Sequence, residues 1–230
     1  MELKPLSEQV MVVFGASSGI GRVTAIRAVE RGALVVAAAR GVVALSTLAG
    51  DASRPDRLAV VTAEAADPEQ VRAVADRAVE RFGRIDTWAH VAGVGDRFME
   101  ALRVELRHEN APVSVTEILP GKIATPFFEH ARTRLGVRPS GPPPVYAPER
   151  VADAILRAAE NPTRDAVVGG AAQLQLALQS LSPRLMDVLT RAAIPFERSR
   201  ELKGPDGGDA LDRPVEGDDR ERGVVTTLHR

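Results

Sequence analysis

The sequence lacks cysteine altogether and has only one tyrosine and one tryptophan among its 230 residues. Without cysteine, the chain has no disulfides, zinc ribbons, iron–sulfur ligation or thiol nucleophiles, a composition typical of reducing compartments. It also lacks an apolar signal core at its N-terminus and any run approaching the roughly 18 apolar residues of a membrane span. We therefore expect a cytoplasmic protein without a transmembrane segment.

The sequence has no excess of charge of either sign. It contains 30 Lys and Arg against 31 Asp and Glu, which leaves a formal net charge of −1. Basic and acidic residues alternate along the expected helices, so the basic patch that binds nucleic-acid backbones is missing. The four histidines do not have the spacing of metal ligands. We therefore expect neither a nucleic-acid partner nor a metal.

Short apolar runs alternate with helical patterns over the first 170 residues. Six runs are expected to form strands: "QVMVVFGA", "ALVVAAAR", "RLAVVTAE", "RIDTWAHVAG", "PVSVTEILP" and "DAVVGG". Helical patterns between them include "DPEQVRAVADRAVERFG", with Asp67 as its N-cap, and a segment near Asp96 to His108. Buried runs that alternate with helices are typical of parallel sheets covered on both faces, which is the α/β class. We predict a Rossmann-type doubly wound parallel sheet of six strands.

The stretch "FGASSGIG", residues 14–21, places three glycines between the first strand and the first helix. Gly15 permits a tight turn, Gly19 lets the backbone approach a pyrophosphate, and Gly21 allows close helix packing. The helix N-terminus adds N–H donors for an anion. The pattern predicts a bound dinucleotide, and a glycine-rich turn without a ligand is the alternative.

Arg40 ends the second expected strand, where an acidic side chain would hold the ribose 2′-hydroxyl of NAD. A guanidinium at this place suits the 2′-phosphate of NADP instead. We therefore expect NADP in preference to NAD. The alternative is an ordinary solvent-facing arginine.

Four motifs in order resemble those of the short-chain dehydrogenase/reductase family: "FGASSGIG", "EAAD" at residues 64–67, "HVAG" at 90–93 and "LPGKIATP" at 119–126. The resemblance implies three groups of cofactor contacts. Those at the pyrophosphate and adjacent ribose would be Gly15, Ser17, Ser18, Gly19, Ile20 and Gly21. Those beside the adenine would be Glu64 and Ala65, and those beside the other ribose Ala92 and Gly93. Those at the nicotinamide end would be Pro120, Gly121, Ile123 and Thr125.

The catalytic residues that the resemblance would imply are missing. The family transfers hydride between nicotinamide and a carbonyl or alcohol carbon with a Ser and a Tyr-x-x-x-Lys pair, whose tyrosine exchanges the proton. The one tyrosine here, Tyr146, is followed four residues later by Arg150 and stands in a Pro-rich region, so we interpret it as a packing residue. No catalytic residue is therefore assigned.

The chain between Gly95 and Arg97 is expected to have lost the block that carries this machinery. From Gly93 to Val113 there is room for one crossover helix only, and the strand at 113–118 is expected to move beside the fourth strand. This internal deletion explains why six strands are predicted where the family has seven.

Three parts of the chain are expected. Residues 1–170 form the NAD(P)-binding domain and 171–196 a short helical extension, whose apolar stripe we expect to serve as core and dimer contact. A membrane-surface patch is the alternative for that stripe. Residues 197–230 are charged and rich in Gly and Pro, which predicts a disordered tail.

The resemblance implies an NAD(P)(H)-dependent oxidoreductase of small carbonyl or alcohol substrates, and a homo-oligomer is one expectation. Because the Ser, Tyr and Lys are absent, we expect this chain to be impaired or inactive, and whether it is an enzyme stays open. A non-catalytic dinucleotide-binding remnant or sensor is the first alternative. A shortened version of a competent reductase is the second.

Overall fold

The computed structural model describes residues 3–91, 96–131, 137–139, 144–193, 198–202, 215 and 218–223. Its first half is a four-stranded parallel sheet of β1 (Val10–Phe14), β2 (Leu34–Ala39), β3 (Leu58–Thr62) and β4 (Thr87–His90), in the order β3-β2-β1-β4. All five residues of β1 are buried. This is the burial on both faces that continuous apolar runs predict.

Helices connect these strands and cover the sheet. They are α1 (Gly19–Glu30), α2 (Val42–Asp51) and α3 (Pro68–Phe82). Asp67 caps α3 as expected, because its carboxylate accepts hydrogen bonds from the N–H groups of Glu69 (2.9 Å) and Gln70 (3.2 Å). The sequence pattern does not single out α2, since the exposed pair Val42 and Val43 is as apolar as the buried residues Leu45 and Leu48 and obscures the helical period.

The second half contains the remaining elements. The helices are α4 (Asp96–His108), α5 (Phe127–His130), α6 (Pro148–Glu160), α7 (Gly170–Leu181) and α8 (Pro183–Ala193). The strands are β5 (Glu117–Pro120), β6 (Val137–Pro139), β7 (Asp165–Val168) and β8 (Arg198–Leu202). β5 pairs with β7 in a parallel two-stranded sheet, and β6 pairs with β8 in an antiparallel one.

The predicted fold class is confirmed, but the expected strand arrangement needs a correction. All six expected strands form, yet they form a four-stranded sheet and a separate sheet of β5 and β7. The expected internal deletion requires β5 to lie beside β4. Within the described ranges these two strands are not paired. β5 begins only at Glu117, and the side chain of Arg103 ties α4 to the amino end of β7 instead.

Arg103 is the polar centre of this second sheet. Its side chain is 6% exposed and lies 3.8 Å from the Glu117 carboxylate and 3.1 Å from that of Asp165. It also donates to the carbonyl oxygens of Val115 (3.4 Å) and Arg164 (2.6 Å). One guanidinium therefore satisfies the acceptors at the amino ends of both strands.

We expect Arg103→Met to lower the free energy of unfolding by about 2 kcal/mol, because it leaves the half-buried Glu117 carboxylate and Val115 carbonyl oxygen without this donor. Arg107→Met is the matched control, since Arg107 is exposed on the same helix and a surface substitution changes stability by about 0.5 kcal/mol or less. Urea unfolding monitored by circular dichroism measures both. Equal midpoints for the two variants would contradict the role assigned to Arg103.

The two halves pack together through α1 and α6. Leu156 of α6 is fully buried in the same cluster as β1 and β2, and Asp153 binds Arg27 at 2.7 Å. Ile20 of α1 packs against a third cluster that contains Ile123 and Tyr146. The amino end of α1 therefore lies at the junction of the two halves.

The helical extension is less buried than its apolar stripe predicts. No residue of α7 is buried, and Leu174 and Leu181 are strongly exposed. The expectation that this stripe is core is therefore wrong for α7, because this helix packs mainly against α8 and β7. None of the helices in the described ranges is both long and apolar enough to cross a membrane.

Candidate functional site

The turn between β1 and α1 has the geometry that its glycines predict. Gly15 follows β1 with φ of 93°, a conformation that L side chains rarely adopt. Its N–H donates to the Ala38 carbonyl oxygen (2.8 Å), and the Ala16 N–H donates to the same oxygen (3.0 Å). The turn is thereby held across the carboxyl end of β2.

Gly21 has no room for a side chain. A Cβ there would lie 2.1 Å from the Gly15 carbonyl oxygen, a backbone atom that cannot swing away. Gly19, with φ of 53°, is packed against Thr125, whose Cγ2 would lie 3.1 Å from an added Cβ. The first turn of α1 therefore rests directly on the β1 turn and on the segment that follows β5.

The N–H groups at the start of α1 form a candidate anion site. Ser18 is the N-cap residue, and its side chain makes no capping hydrogen bond. Helix N–H groups that a side chain does not cap, together with the positive end of the helix dipole, favour phosphate binding.

The sequence-predicted residues lie at the carboxyl ends of strands. Arg40 follows β2, Glu64 and Ala65 follow β3, and Pro120 ends β5 with Gly121, Ile123 and Thr125 after it. Ala92 and Gly93 lie outside the described residues. Ligands of open α/β sheets bind at this edge, and the contact of Gly19 with Thr125 brings its two halves together.

Arg40 is paired with a carboxylate. Its guanidinium lies 3.4 Å from the Glu64 carboxylate, and both side chains are partly exposed. The ion pair links the ends of β2 and β3. An incoming phosphate would therefore share this guanidinium with Glu64.

Tyr146 is a packing residue. It is 7% exposed, its hydroxyl oxygen accepts a hydrogen bond from the Ala171 N–H (3.3 Å), and the Arg150 guanidinium lies 5.3 Å from the ring centroid. The ring fills the space beside Gly169, where a Cβ would lie 2.6 Å from it. The cation therefore faces the ring rather than activating the hydroxyl.

Two other titratable groups lie near this edge. The His90 imidazole stacks on Phe14, with 5.5 Å between ring centroids, and desolvation lowers its pKa, so the ring is neutral at pH 7. Burial also lowers the pKa of Lys122, whose side chain is partly buried. Among the described residues, no group of three or more acidic or histidine side chains is placed to hold a metal ion.

A segment of the tail at residues 197–230, whose charged, Gly- and Pro-rich sequence predicts disorder, also reaches this site. Residues 218–223, which we name the C-terminal strap, lie against the start of α1 and against residues 124–130. The Gly19 N–H donates to the Arg220 carbonyl oxygen (2.9 Å). The charged residues of the strap give no apolar pattern that would reveal such a contact.

Comparisons with known proteins give a consistent result. A family model described as short chain dehydrogenase matches residues 9–98. The uncharacterized oxidoreductase YxnA of Bacillus subtilis (strain 168) is 35% identical over an alignment of 260 positions, which covers 82% of this chain and 73% of that protein. The 11-beta-hydroxysteroid dehydrogenase A of Sesamum indicum is 40% identical over 89 residues, covering 37% of this chain and 25% of that protein.

Solved structures share the fold at low identity. A short chain dehydrogenase from Bacillus anthracis str. 'Ames Ancestor' has a TM-score of 0.57 at 16% identity and covers 73% of this chain and 98% of its own. L-sorbose reductase from Gluconobacter frateurii, complexed with NADPH and L-sorbose, has a TM-score of 0.57 at 19% identity and covers 74% and 98%.

Proposed function

Because this chain belongs to the short-chain dehydrogenase/reductase family, we propose that it binds a nicotinamide dinucleotide at the turn between β1 and α1, with NADP preferred over NAD. The observation that carries the proposal is the close packing of Gly21 against the Gly15 carbonyl oxygen. This contact brings the start of α1, which the side chain of its N-cap residue Ser18 does not cap, to the carboxyl end of β1, where N–H groups of a helix can bind a pyrophosphate.

The proposed contacts follow the motifs. The pyrophosphate and its ribose would be held by Gly15, Ser17, Ser18, Gly19, Ile20 and Gly21. The adenine would lie beside Glu64 and Ala65, the second ribose beside Ala92 and Gly93, and the nicotinamide beside Pro120, Gly121, Ile123 and Thr125. When bound, the cofactor supplies or accepts the hydride.

The preference for NADP is proposed from Arg40. We expect wild type to bind NADPH about 10- to 100-fold more tightly than NADH, since a charge-assisted hydrogen bond to phosphate contributes about 1.5–3 kcal/mol. Arg40→Ala should remove most of this preference and leave NADH binding nearly unchanged. Isothermal calorimetry with each cofactor measures both quantities.

The control for Arg40 is Arg54→Ala, which removes the same charge from an exposed position between α2 and β3. It should keep the preference of the wild type. If NADH binds wild type as tightly as NADPH does, the role proposed for Arg40 is wrong. If neither cofactor binds a folded chain, the binding proposal itself is wrong.

As to activity, we propose that the chain descends from carbonyl or alcohol oxidoreductases and is itself impaired or inactive. The packing of Tyr146 supports this, because its hydroxyl is engaged with the Ala171 N–H. The match to YxnA supports it too, since the alignment is 260 positions long but covers only 82% of the 230 residues of this chain, so YxnA has residues within it that have no counterpart here. Such gaps agree with the proposed internal deletion.

A non-catalytic dinucleotide-binding protein or sensor is the second candidate function. The observation that favours it is the combination of an intact glycine turn with a buried, structurally engaged tyrosine. A third possibility is that this chain is a shortened version of a competent reductase, and the gene sequence tests it. An uninterrupted native reading frame across the codons of residues 95–97 would exclude it.

A further inference from the structure

The C-terminal strap crosses the same edge of the sheet that the cofactor is proposed to occupy. At one end the Arg220 carbonyl oxygen accepts the hydrogen bond of the Gly19 N–H (2.9 Å). At the other end the Gly223 N–H donates to the Ala124 carbonyl oxygen (3.2 Å). The strap thus reaches from the expected pyrophosphate position to the residues expected at the nicotinamide end.

Two ion pairs and a hydrogen bond anchor the strap to α5 and α6. Arg220 binds the Glu129 carboxylate (2.8 Å) and Arg222 binds that of Glu149. The Asp218 carboxylate is hydrogen-bonded to the His130 ring. Glu129 and Asp218 have side chains that are only 14% and 9% exposed. The contact is therefore a specific fit between named partners on both sides.

Gly223 fits its place tightly. A Cβ there would lie 2.4 Å from the Thr125 carbonyl oxygen and 2.8 Å from a carboxylate oxygen of Glu129. Any larger residue at this position would keep the strap from seating. The glycine is thus a steric requirement of the docked strap.

We propose that the C-terminal strap is an autoinhibitory segment, which holds the first N–H of α1 and must leave before a dinucleotide binds. The inference rests on the proposed cofactor site. The Arg220 carbonyl oxygen accepts the hydrogen bond of the Gly19 N–H, which a phosphate oxygen of the dinucleotide would otherwise accept. The strap and the phosphate therefore cannot bind this N–H at the same time. Because Arg220 and Arg222 are about half exposed, their ion pairs are weak individually, so a dinucleotide can displace the strap.

The expected size of the effect follows from the fraction of open molecules. When the binding-competent state is only partly populated, the observed Kd is the intrinsic Kd divided by that fraction. A strap that is docked in about nine molecules of ten would weaken cofactor binding about tenfold.

Two variants of the full chain release the strap by different means. Gly223→Val blocks its seat without changing charge, and R220Q/R222Q removes the ion pairs. R184Q/R191Q is the control, since it removes the same charge from exposed positions on α8. Calorimetry with NADPH measures Kd, and hydrogen exchange at the Gly19 amide reports strap release without any cofactor.

The proposal expects faster exchange at Gly19 and an NADPH Kd about tenfold lower in both release variants, with the control like wild type. Unchanged exchange would overturn it, because the strap would not be docked in solution. Faster exchange at the Gly19 amide together with an equal or higher Kd for NADPH would also overturn the autoinhibition, but it would not contradict the proposed cofactor site. If no form binds NADPH although exchange shows release, the cofactor site itself is wrong and the inhibition falls with it.

Discussion

Hydride transfer from bound NADPH to a carbonyl should be about 10²- to 10⁴-fold slower in this chain than in a competent member of its family. The reason is the missing proton donor, since transfer of hydride to a carbonyl carbon leaves an oxyanion that needs a proton. Tyr146 does not supply it, because it is buried and its hydroxyl oxygen already accepts from Ala171. The cation beside it, Arg150, lies over the ring face.

Single-turnover oxidation of NADPH, monitored by absorbance with a panel of ketones and aldehydes, measures this rate. L-sorbose reductase with L-sorbose is the positive control. If proton donation is the missing step, added small acids such as phenol or imidazolium should raise the slow rate in proportion to their concentration. A rate within tenfold of the control, and insensitive to added acid, would show that another residue donates the proton.

Gly21→Ala should weaken NADPH binding about 100-fold or more. The added methyl would lie 2.1 Å from the Gly15 carbonyl oxygen, so either the turn or the start of α1 must move. Losing two charge-assisted hydrogen bonds to the pyrophosphate, at about 1.5 kcal/mol each, corresponds to a factor of about 100 in Kd. The same strain should lower stability, because the turn lies against the fully buried strand β1.

Gly50→Ala is the matched control for this substitution. Gly50 lies in α2 with nothing within 4 Å of an added Cβ, so the same chemical change there should leave binding intact and stabilise the helix slightly. Calorimetry and urea unfolding on both variants separate lost binding from lost folding. A folded Gly21→Ala protein with unchanged Kd would mean that the pyrophosphate does not use this turn.

Much of the first half could be predicted from sequence because its signals are local. Strand β1 follows from a continuous apolar run, α3 from its cap at Asp67, and the turn from glycines whose positive φ angles the structure shows. The helix α2 could not be predicted in this way, since Val42 and Val43 are apolar but exposed. Local pattern failed there because tertiary contacts, not hydrophobicity, decide which side of a short helix is buried.

The second half depends on contacts between distant residues. The strand β5 was expected beside β4, yet its partner is β7, more than forty residues later in the chain. Nothing in a four-residue strand specifies its neighbour, and the buried Arg103 that ties these elements together resembles any other helical arginine in the sequence. A short strand has too few side chains to encode its own partner.

The sequence by itself determined that this chain has the glycine-rich turn after its first strand and lacks a Tyr-x-x-x-Lys pair, because both are matters of which residues are present and in what order. Only the tertiary structure decided that Tyr146 is buried against Gly169 and that Arg220 meets Gly19 across two hundred residues. Such contacts depend on how remote segments pack, and periodicity and capping carry no information about that.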